Sequence, residues 1–445
     1  MRHYILKEKL GQGGFAEVFK VENDDGCTFA KKIFSPSKQI IDAVGEEQLK
    51  KRFSREVRSQ SKLNHQNVVP ILDIDLISEP PFFIMPLASD TLSDELKVDS
   101  TLGGNPKKAL FDILAGLEAV HEAGLHHRDL KPANVLKYEE NEGESYYAIS
   151  DFGLISGGDG DSSTLTGSNA KGGTQDYAAP ELMKDFKRAT HFADIYSFGA
   201  ILHDIFSDGQ SRIPYTELSV PDPDISLVVQ RCTKSLPARR YKNVAELRED
   251  LFKVLDDKVL TFTSDQEKVV VDLLLSQSTL DHDHWDKVFT QLDENEYKNL
   301  SNANILRSID EVHIECLAKD SPELIASLIF YFCDYIRNHS FDFDYCDVLA
   351  TRAKALYKEA DLASKANLAL AILELGVSHN RWYVEWRFIE MAGSTISDEL
   401  ASRIILEIEV TEFNFVHFIE RLKKSIGVSS SRLHRILREN FKFDK

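Results

Sequence analysis

The sequence predicts an α+β domain followed by an all-α domain. Glycine and proline interrupt regular elements and form turns, and this chain uses them unevenly. All but three of its 22 glycines lie at or before Gly209, and all but one of its 13 prolines lie at or before Pro237. Farther on, apolar residues recur at the spacing of amphipathic helices. We therefore assign residues 1–258 to the first domain and 264–445 to the helical domain.

Composition narrows the class of protein. The chain has 445 residues, 42% hydrophobic and 28% charged, which is typical of a globular protein of roughly two to four domains. Its net charge of −19 disfavours general nucleic-acid binding and attachment to anionic membranes, and favours basic substrates. The five cysteines form no C-x-x-C pair, which indicates reduced thiols. The first residues contain no apolar stretch of the kind found in signal peptides, and no apolar run approaches about 20 residues, so we expect a cytoplasmic protein.

A glycine-rich turn lies near the N-terminus. Gly11, Gly13 and Gly14 stand between Tyr4–Leu10 and Ala16–Val21, which both have the composition of strands. Glycine lets the backbone approach a phosphate closely and offer its amide hydrogens. Taken by itself the pattern is weak evidence, because glycine-rich hairpins are common.

A second stretch, residues 127–134, carries three polar side chains at a spacing that phosphoryl transfer can use. Asp129 can accept a proton from an attacking hydroxyl, and Lys131 can neutralise charge on a migrating phosphoryl group. Asn134 can offer its side-chain oxygen to a magnesium ion, as can the carboxylate of Asp151 in Asp-Phe-Gly.

In this order and spacing, the stretches resemble the eukaryotic-like serine/threonine protein kinases over residues 4–254. The resemblance implies a bilobal α+β kinase fold, with a small lobe over about 1–87 and a large lobe over about 88–258. It also implies ATP with Mg²⁺, or Mn²⁺ in its place, and a protein substrate. Each motif has false positives, but their joint occurrence is specific.

The resemblance assigns the nucleotide site. Lys32, in the A-x-K spacing, corresponds to the phosphate-binding lysine, and Glu56 to its ion-pair partner. Pro86 has no amide hydrogen, so hinge contacts to adenine would fall to the backbone of Leu87 or Ala88. The assigned cofactor-binding residues are Leu10, Gly11, Gly13, Gly14, Phe15, Val18, Ala30, Lys32, Met85, Leu87 and Ala88. The catalytic residues are Asp129, Lys131, Lys32 and Glu56, and the metal ligands are Asn134 and Asp151.

Structural residues follow from the same resemblance. His127 would pack against the Asp-Phe-Gly segment, whereas His126 is expected to be exposed or incidental. Asp194 matches the buried aspartate that braces the catalytic loop, and Glu181 and Arg240 match an ion pair of the large lobe. In the activation segment, the candidate phosphorylation sites are Ser162, Ser163, Thr164, Thr166 and Ser168, with Thr174 in the Gly-Thr motif that follows. Arg128 could pair with such a phosphate and order the segment.

Substrate docking departs from the family pattern. The chain between Gly209 and Ile225 is short and broken by prolines, which predicts that the family's helix G is cut down. That surface often docks substrates, so recruitment is expected to move to the helical domain, which could also bind a regulatory partner. The oligomeric state stays open.

The helical domain itself resembles no family that we recognise. Its consecutive amphipathic helices are compatible with a HEAT or armadillo-type solenoid. The helices predicted from periodicity are Asp265–Leu275, Pro322–Arg337, Tyr345–Glu359, Ala363–Leu375, Arg381–Met391, Ser397–Glu407 and Phe413–Lys424.

The sequence is compatible with two functions. Lys131 and Thr174 favour a serine/threonine protein kinase, and we also expect it to phosphorylate its own activation loop. The alternative is a nucleotide-binding sensor or scaffold that acts through the helical domain, as pseudokinases do. Pseudokinases typically lose the lysine, the catalytic aspartate or the metal aspartate, and Lys32, Asp129 and Asp151 are all present.

Overall fold

In the computed structural model, the chain divides into two compact units, Met1–Leu255 and Asp256–Lys445. The structure describes residues 3–13, 15–139, 145–151, 175–184, 190–256, 258 and 260–441. Over those residues no helix is both long and apolar enough to cross a bilayer. The five cysteines are free thiols.

The N-terminal part of the first unit is an antiparallel sheet with two helices. Its elements are β1 (Tyr4–Gln12), β2 (Ala16–Asn23), β3 (Thr28–Phe34), α1 (Lys38–Val44), α2 (Glu46–Gln60), β4 (Asp73–Asp75) and β5 (Phe82–Pro86). The strand order is β1-β2-β3-β5-β4. Phe53 and Val57 of α2 pack against Phe34 and Phe83 of the sheet and form the core of this lobe. The packing fixes α2 beside β3.

The larger lobe of the first unit is mostly helical. Its elements are β6 (Asp90–Thr91), α3 (Leu92–Val98), α4 (Lys107–Glu122), β7 (Val135–Glu139), β8 (Ser145–Ile149), α5 (Pro180–Lys184), α6 (His191–Phe206), α7 (Pro223–Cys232) and α8 (Val244–Leu255). The three strands pair in the order β6-β7-β8. Residues 207–222, all described, contain no helix. This agrees with the shortened region that the sequence predicts between Gly209 and Ile225.

Two glycines allow close approaches inside this lobe. A Cβ at Gly116 of α4 would lie 2.3 Å from the carbonyl oxygen of Asn67, and one at Gly199 of α6 would lie 2.5 Å from Cβ of Cys232. Any larger side chain would push these segments apart. The Asn67 segment is in turn bonded to β8, because Asn67 Nδ2 donates to the Tyr147 carbonyl at 2.7 Å.

The second unit consists of short-linked helices. They are α9 (Asp265–Ser276), α10 (His282–Tyr297), α11 (Ala303–Ser308), α12 (Glu311–Asp320), α13 (Ile325–Asn338), α14 (Phe343–Glu359), α15 (Leu362–Ser378), α16 (Trp382–Ala392), α17 (Asp398–Val410), α18 (Phe415–Ile426) and α19 (Arg435–Asn440). All seven predicted helices are present with shifted ends, and α10, α11, α12 and α19 are additional. Helix α15 contacts α13, α14, α16, α17 and α18 and forms the centre of the unit. The solenoid arrangement stays a prediction.

Candidate active site

The site begins with a lysine shared by two carboxylates. Lys32 Nζ lies 2.7 Å from Glu56 Oε1 and 2.5 Å from Asp151 Oδ1. Side chains of a strand alternate between its two faces, so β3 turns Lys32 inward while Lys31 points the other way, 3.5 Å above the Phe82 ring. The interior position of Lys32 and the packing of α2 on the sheet bring the three groups together.

The charges of this group influence one another. Burial alone would lower the pKa of the Lys32 ammonium, but the Asp151 and Glu56 carboxylates outweigh it and raise that pKa. Burial raises the pKa of Glu56 to about 6, with Lys32 acting against it. Desolvation favours a higher pKa for Asp151, yet the charge of Lys32 prevails and lowers it. At neutral pH the group therefore carries excess negative charge, which a cation can neutralise.

Asp129 lies in the loop between α4 and β7, facing Lys131 and Asn134. Lys131 Nζ is 2.9 Å from Asp129 Oδ2. Asn134 Nδ2 donates to the Asp129 carbonyl at 2.8 Å and to Oδ2 at 3.2 Å. Burial raises the pKa of Asp129, and Lys131 acts against that shift. These contacts fix the carboxylate in place, and the burial that raises its pKa makes it a better proton acceptor than an exposed aspartate.

The pairing of β7 with β8 brings Asn134 beside the segment that holds Asp151. Val135 pairs with Ile149, so the neighbouring residues Asn134 and Ser150 lie beside each other. The Asn134 carbonyl accepts hydrogen bonds from Ser150 N at 2.8 Å and Ser150 Oγ at 3.1 Å. Asn134 uses its amide nitrogen on Asp129, which leaves its oxygen Oδ1 as the atom able to ligate a cation.

Asp194 braces the catalytic loop from beneath. Its carboxylate is fully buried, and it accepts the backbone N–H of His127 at 2.9 Å and of Arg128 at 2.7 Å. His121 Nε2 lies 2.8 Å from Asp194 Oδ2. Arg128 has a φ of 64°, which costs a non-glycine residue energy, and the brace holds it there. His127 Nε2 lies 2.9 Å from the Ser150 carbonyl. His126 is half-buried rather than exposed.

A cavity of about 350 Å³ opens beside the Lys32 group. Eight of the sequence-assigned nucleotide residues line it: Leu10, Gly11, Val18, Ala30, Lys32, Met85, Leu87 and Ala88. The other two described residues of this set, Gly13 and Phe15, do not line the cavity. Gly13 N donates to the Ala16 carbonyl at 2.8 Å, and Phe15 packs on the core of the small lobe. Gly14 lies outside the described residues.

Sequence reasoning missed several lining residues. Leu136 lines the cavity together with Val18 and Ala30, and Gln60, Asp90 and Asp94 are also lining residues. Gln60 is buried and donates from Nε2 to the Val69 carbonyl at 2.7 Å. Side chains alternate between the two faces of β7, the strand that follows the catalytic loop, and this alternation was the sequence signal that could have identified Leu136 as a lining residue.

The Glu181–Arg240 pair is bidentate. Arg240 donates from Nη1 to Glu181 Oε1 at 2.6 Å and from Nη2 to Oε2 at 2.8 Å. It also donates to the carbonyls of Lys234 at 2.8 Å and Phe192 at 2.7 Å. One buried guanidinium thus ties α5 to α6 and to the segment before α8.

The predicted phosphorylation sites of the activation segment are not tested by the structure. Ser162, Ser163, Thr164, Thr166, Ser168 and Thr174 all lie outside the described residues.

Comparison with known proteins gives the family. The protein kinase domain matches residues 4–255, so the chain belongs to the protein kinase family. It is 28% identical over 284 residues to the serine/threonine-protein kinase PknL of Mycobacterium bovis, covering 58% of this chain and 67% of that protein.

Other relatives match over a similar part of this chain. A probable serine/threonine-protein kinase of Streptomyces coelicolor is 28% identical, over 59% of this chain and 41% of the relative. The serine/threonine-protein kinase PknD of Chlamydia pneumoniae is 30% identical, over 56% of this chain and 31% of the relative. The chain thus spans from about a third to two thirds of the length of these relatives. The family match ends at residue 255 and includes none of the second unit.

Proposed function

We propose that the chain transfers the γ-phosphoryl group of ATP to serine or threonine hydroxyls of proteins. The observation that carries the proposal is the convergence of four side chains at one cavity and the adjoining loop. Lys32 and Asp151 line the cavity, and Asn134 and Asp129 are joined to each other and to the Ser150 segment by hydrogen bonds. Phosphoryl transfer needs this set of one fixed cation, two metal ligands and one proton acceptor.

The residues present fit ATP and a divalent cation. Val18, Ala30 and Leu136 supply apolar walls for a planar base. Asp151 and Asn134 would hold Mg²⁺, and the excess negative charge around Lys32 suits a cation. Bound there, magnesium supplies charge neutralisation on the phosphate oxygens.

The remaining steps belong to the protein's own side chains. Lys32, held by Glu56, would orient the phosphates. Asp129 would accept the proton of the attacking hydroxyl, and Lys131 would offset the charge that develops on the transferred group. These contributions are positioning and electrostatics, which supply most of the rate in this chemistry.

The transfer assay uses labelled ATP, Mg²⁺ and a basic acceptor protein, followed by analysis of the modified amino acids. We expect label on serine or threonine with the wild type and at least a hundredfold less with Asp129→Asn, because removing a general base typically costs about 10²–10⁴ in rate. Asp224→Asn, an exposed site of the same lobe, is the matched control and should keep full activity. Label on tyrosine, or equal transfer by Asp129→Asn, would contradict the assignment.

Autophosphorylation of the activation segment is part of the proposal. Arg128 precedes Asp129 and is held by Asp194, so a phosphate paired with it would act directly on the catalytic loop. Active protein should carry phosphate within residues 156–174. Its complete absence from a fully active preparation, by mass spectrometry, would refute this part.

The helical unit is proposed to recruit substrate or to regulate the kinase. Support comes from residues 207–222, which contain no helix. In family members this region often forms the surface on which substrates dock. Residues 1–260, checked for folding by circular dichroism, should lose preference among protein substrates if the helical unit recruits them. They should phosphorylate a generic peptide with changed turnover if the unit regulates the kinase. Unchanged preference and unchanged turnover would exclude both roles.

A further inference from the structure

Three histidines surround Asp194 behind the catalytic loop. His121 lies in the last turn of α4, His126 precedes the catalytic loop, and His191 is the first residue of α6. The ring centroids lie 5.9 Å apart for His121 and His126, 5.7 Å for His121 and His191, and 6.2 Å for His126 and His191. One ligand atom each from His121, His126 and Asp194 lies within 4.8 Å of the other two. The described parts of the chain hold no other such group.

The histidines have nitrogen lone pairs to offer. His126 Nδ1 is buried and has no hydrogen-bond partner among the described residues. His191 Nε2 lies 2.9 Å from the Lys242 carbonyl, which can only accept, so the proton is on Nε2 and the lone pair is on Nδ1. A histidine that gives its second N–H to a carbonyl is the usual arrangement around a protein-bound metal.

The buried carboxylate of Asp194 favours a cation beside it. Burial lowers the pKa of His126 and of His191. The His121 hydrogen bond helps to keep the pKa of Asp194 low against the effect of burial, and Asp194 supplies a full negative charge. The Arg128 guanidinium lies close enough to act on His126 and partly opposes a cation.

We propose that His121, His126 and Asp194 form a binding site for a borderline transition-metal ion, of which Zn²⁺ is the type. Two imidazoles and a carboxylate are a common three-residue donor set for zinc. His191 or water would complete a tetrahedron. Ligand atoms of a tetrahedral zinc lie about 3.4 Å apart. The proton on His121 Nε2 would therefore move to Nδ1 of the same ring, and the metal would take its place and widen the 2.8 Å contact between Nε2 and Asp194 Oδ2.

Metal binding would change the brace of the catalytic loop. Asp194 Oδ2 also accepts the backbone N–H of His127, so drawing Oδ2 toward a metal loosens that bond. We therefore infer that occupancy lowers turnover without blocking the nucleotide cavity. The binding itself rests on the geometry alone, whereas the effect on turnover rests on the proposed kinase activity.

Cobalt titration of the full-length protein tests the binding without using activity. Four-coordinate Co²⁺ has strong visible bands, which report both stoichiometry and geometry. All proteins carry Cys27→Ser to remove an exposed thiol. We expect one equivalent bound and displaced by Zn²⁺, and roughly tenfold or greater weakening in His126→Leu. The matched control His417→Leu removes an exposed histidine of the other unit and should bind as the parent does.

Binding that is absent from the parent, or unchanged in His126→Leu, overturns the site. His191→Phe is the second variant, and its modest loss of affinity would support the fourth-ligand role. Thermal melting without metal checks that each variant is folded. With saturating Mg²⁺ and ATP, Zn²⁺ should lower kcat in the parent and not in His126→Leu. Equal inhibition of both proteins would overturn the coupling to the loop, while the cobalt result would stand separately.

Discussion

Glu56→Gln is the sharpest single perturbation of the nucleotide site. Glutamine has the shape of glutamate but removes the charge that holds Lys32 from the α2 side. Glu56 is 2% exposed and its Oε1 lies 2.7 Å from Lys32 Nζ. A hydrogen bond between charged groups contributes about 1.5–3 kcal/mol. If that stabilisation acts on the transition state, kcat/KM should fall roughly ten- to a hundredfold, while Asp151 keeps Lys32 in the site.

Glu47→Gln is the matched control on the same helix. Its ion pair with Lys51 is nearly as short, at 2.9 Å, but both side chains are more than 70% exposed. Such i,i+4 pairs contribute only about 0.3–0.5 kcal/mol, so this variant should behave as the wild type. The assay is steady-state transfer over a range of ATP concentrations, with melting temperatures measured alongside. A Glu56→Gln enzyme within twofold of Glu47→Gln would refute the role of the buried pair.

Two further predictions concern stability. Arg240→Lys keeps the charge but loses the bidentate contact to Glu181, and should cost about 1.5–3 kcal/mol of unfolding free energy. The control is Arg231→Lys, which changes a more exposed ion pair and should cost less than about 1 kcal/mol. Equal losses of stability in a denaturant titration would contradict the reasoning. Burial raises the pKa of Glu385 to about 7, so the folded state binds this proton more tightly and loses stability as pH rises from about 4.5 to 7. Glu385→Gln should therefore raise the melting temperature at pH 8 and add up to about 3 kcal/mol to the free energy of unfolding. It should also flatten the dependence of stability on pH, whereas the exposed control Glu399→Gln should do neither.

The sequence predicted local structure best where periodicity or motif spacing is strong. A strand was predicted at Ala16–Val21, and β2 is found there with two further residues, as Ala16–Asn23. Helix α10 was missed because its first turn, His-Asp-His, has the composition of a polar loop, although Asp281 caps it through the His284 N–H. Helices α11 and α12 are 6 and 10 residues long, too short for periodicity to be decisive.

Motif register predicted that distant residues would meet, which periodicity could not. Lys32 and Asp151 are 119 positions apart and in contact. What the sequence could not predict depends on the tertiary approach of elements that carry no motif. Leu136 and Gln60 reach the cavity only through the packing of the two lobes. His191 joins His121 only because α6 begins beside the end of α4.

Autophosphorylation with labelled ATP and Mg²⁺, wild type beside Asp129→Asn, tests the central claim most directly. Nucleotide binding by both proteins is measured in the same experiment, because Asp129 lies outside the lining of the cavity and its substitution should leave ATP affinity nearly unchanged. The account predicts label in the wild type, none in the variant, and similar ATP binding in both. ATP binding without label in either protein would contradict it and favour a nucleotide-dependent scaffold.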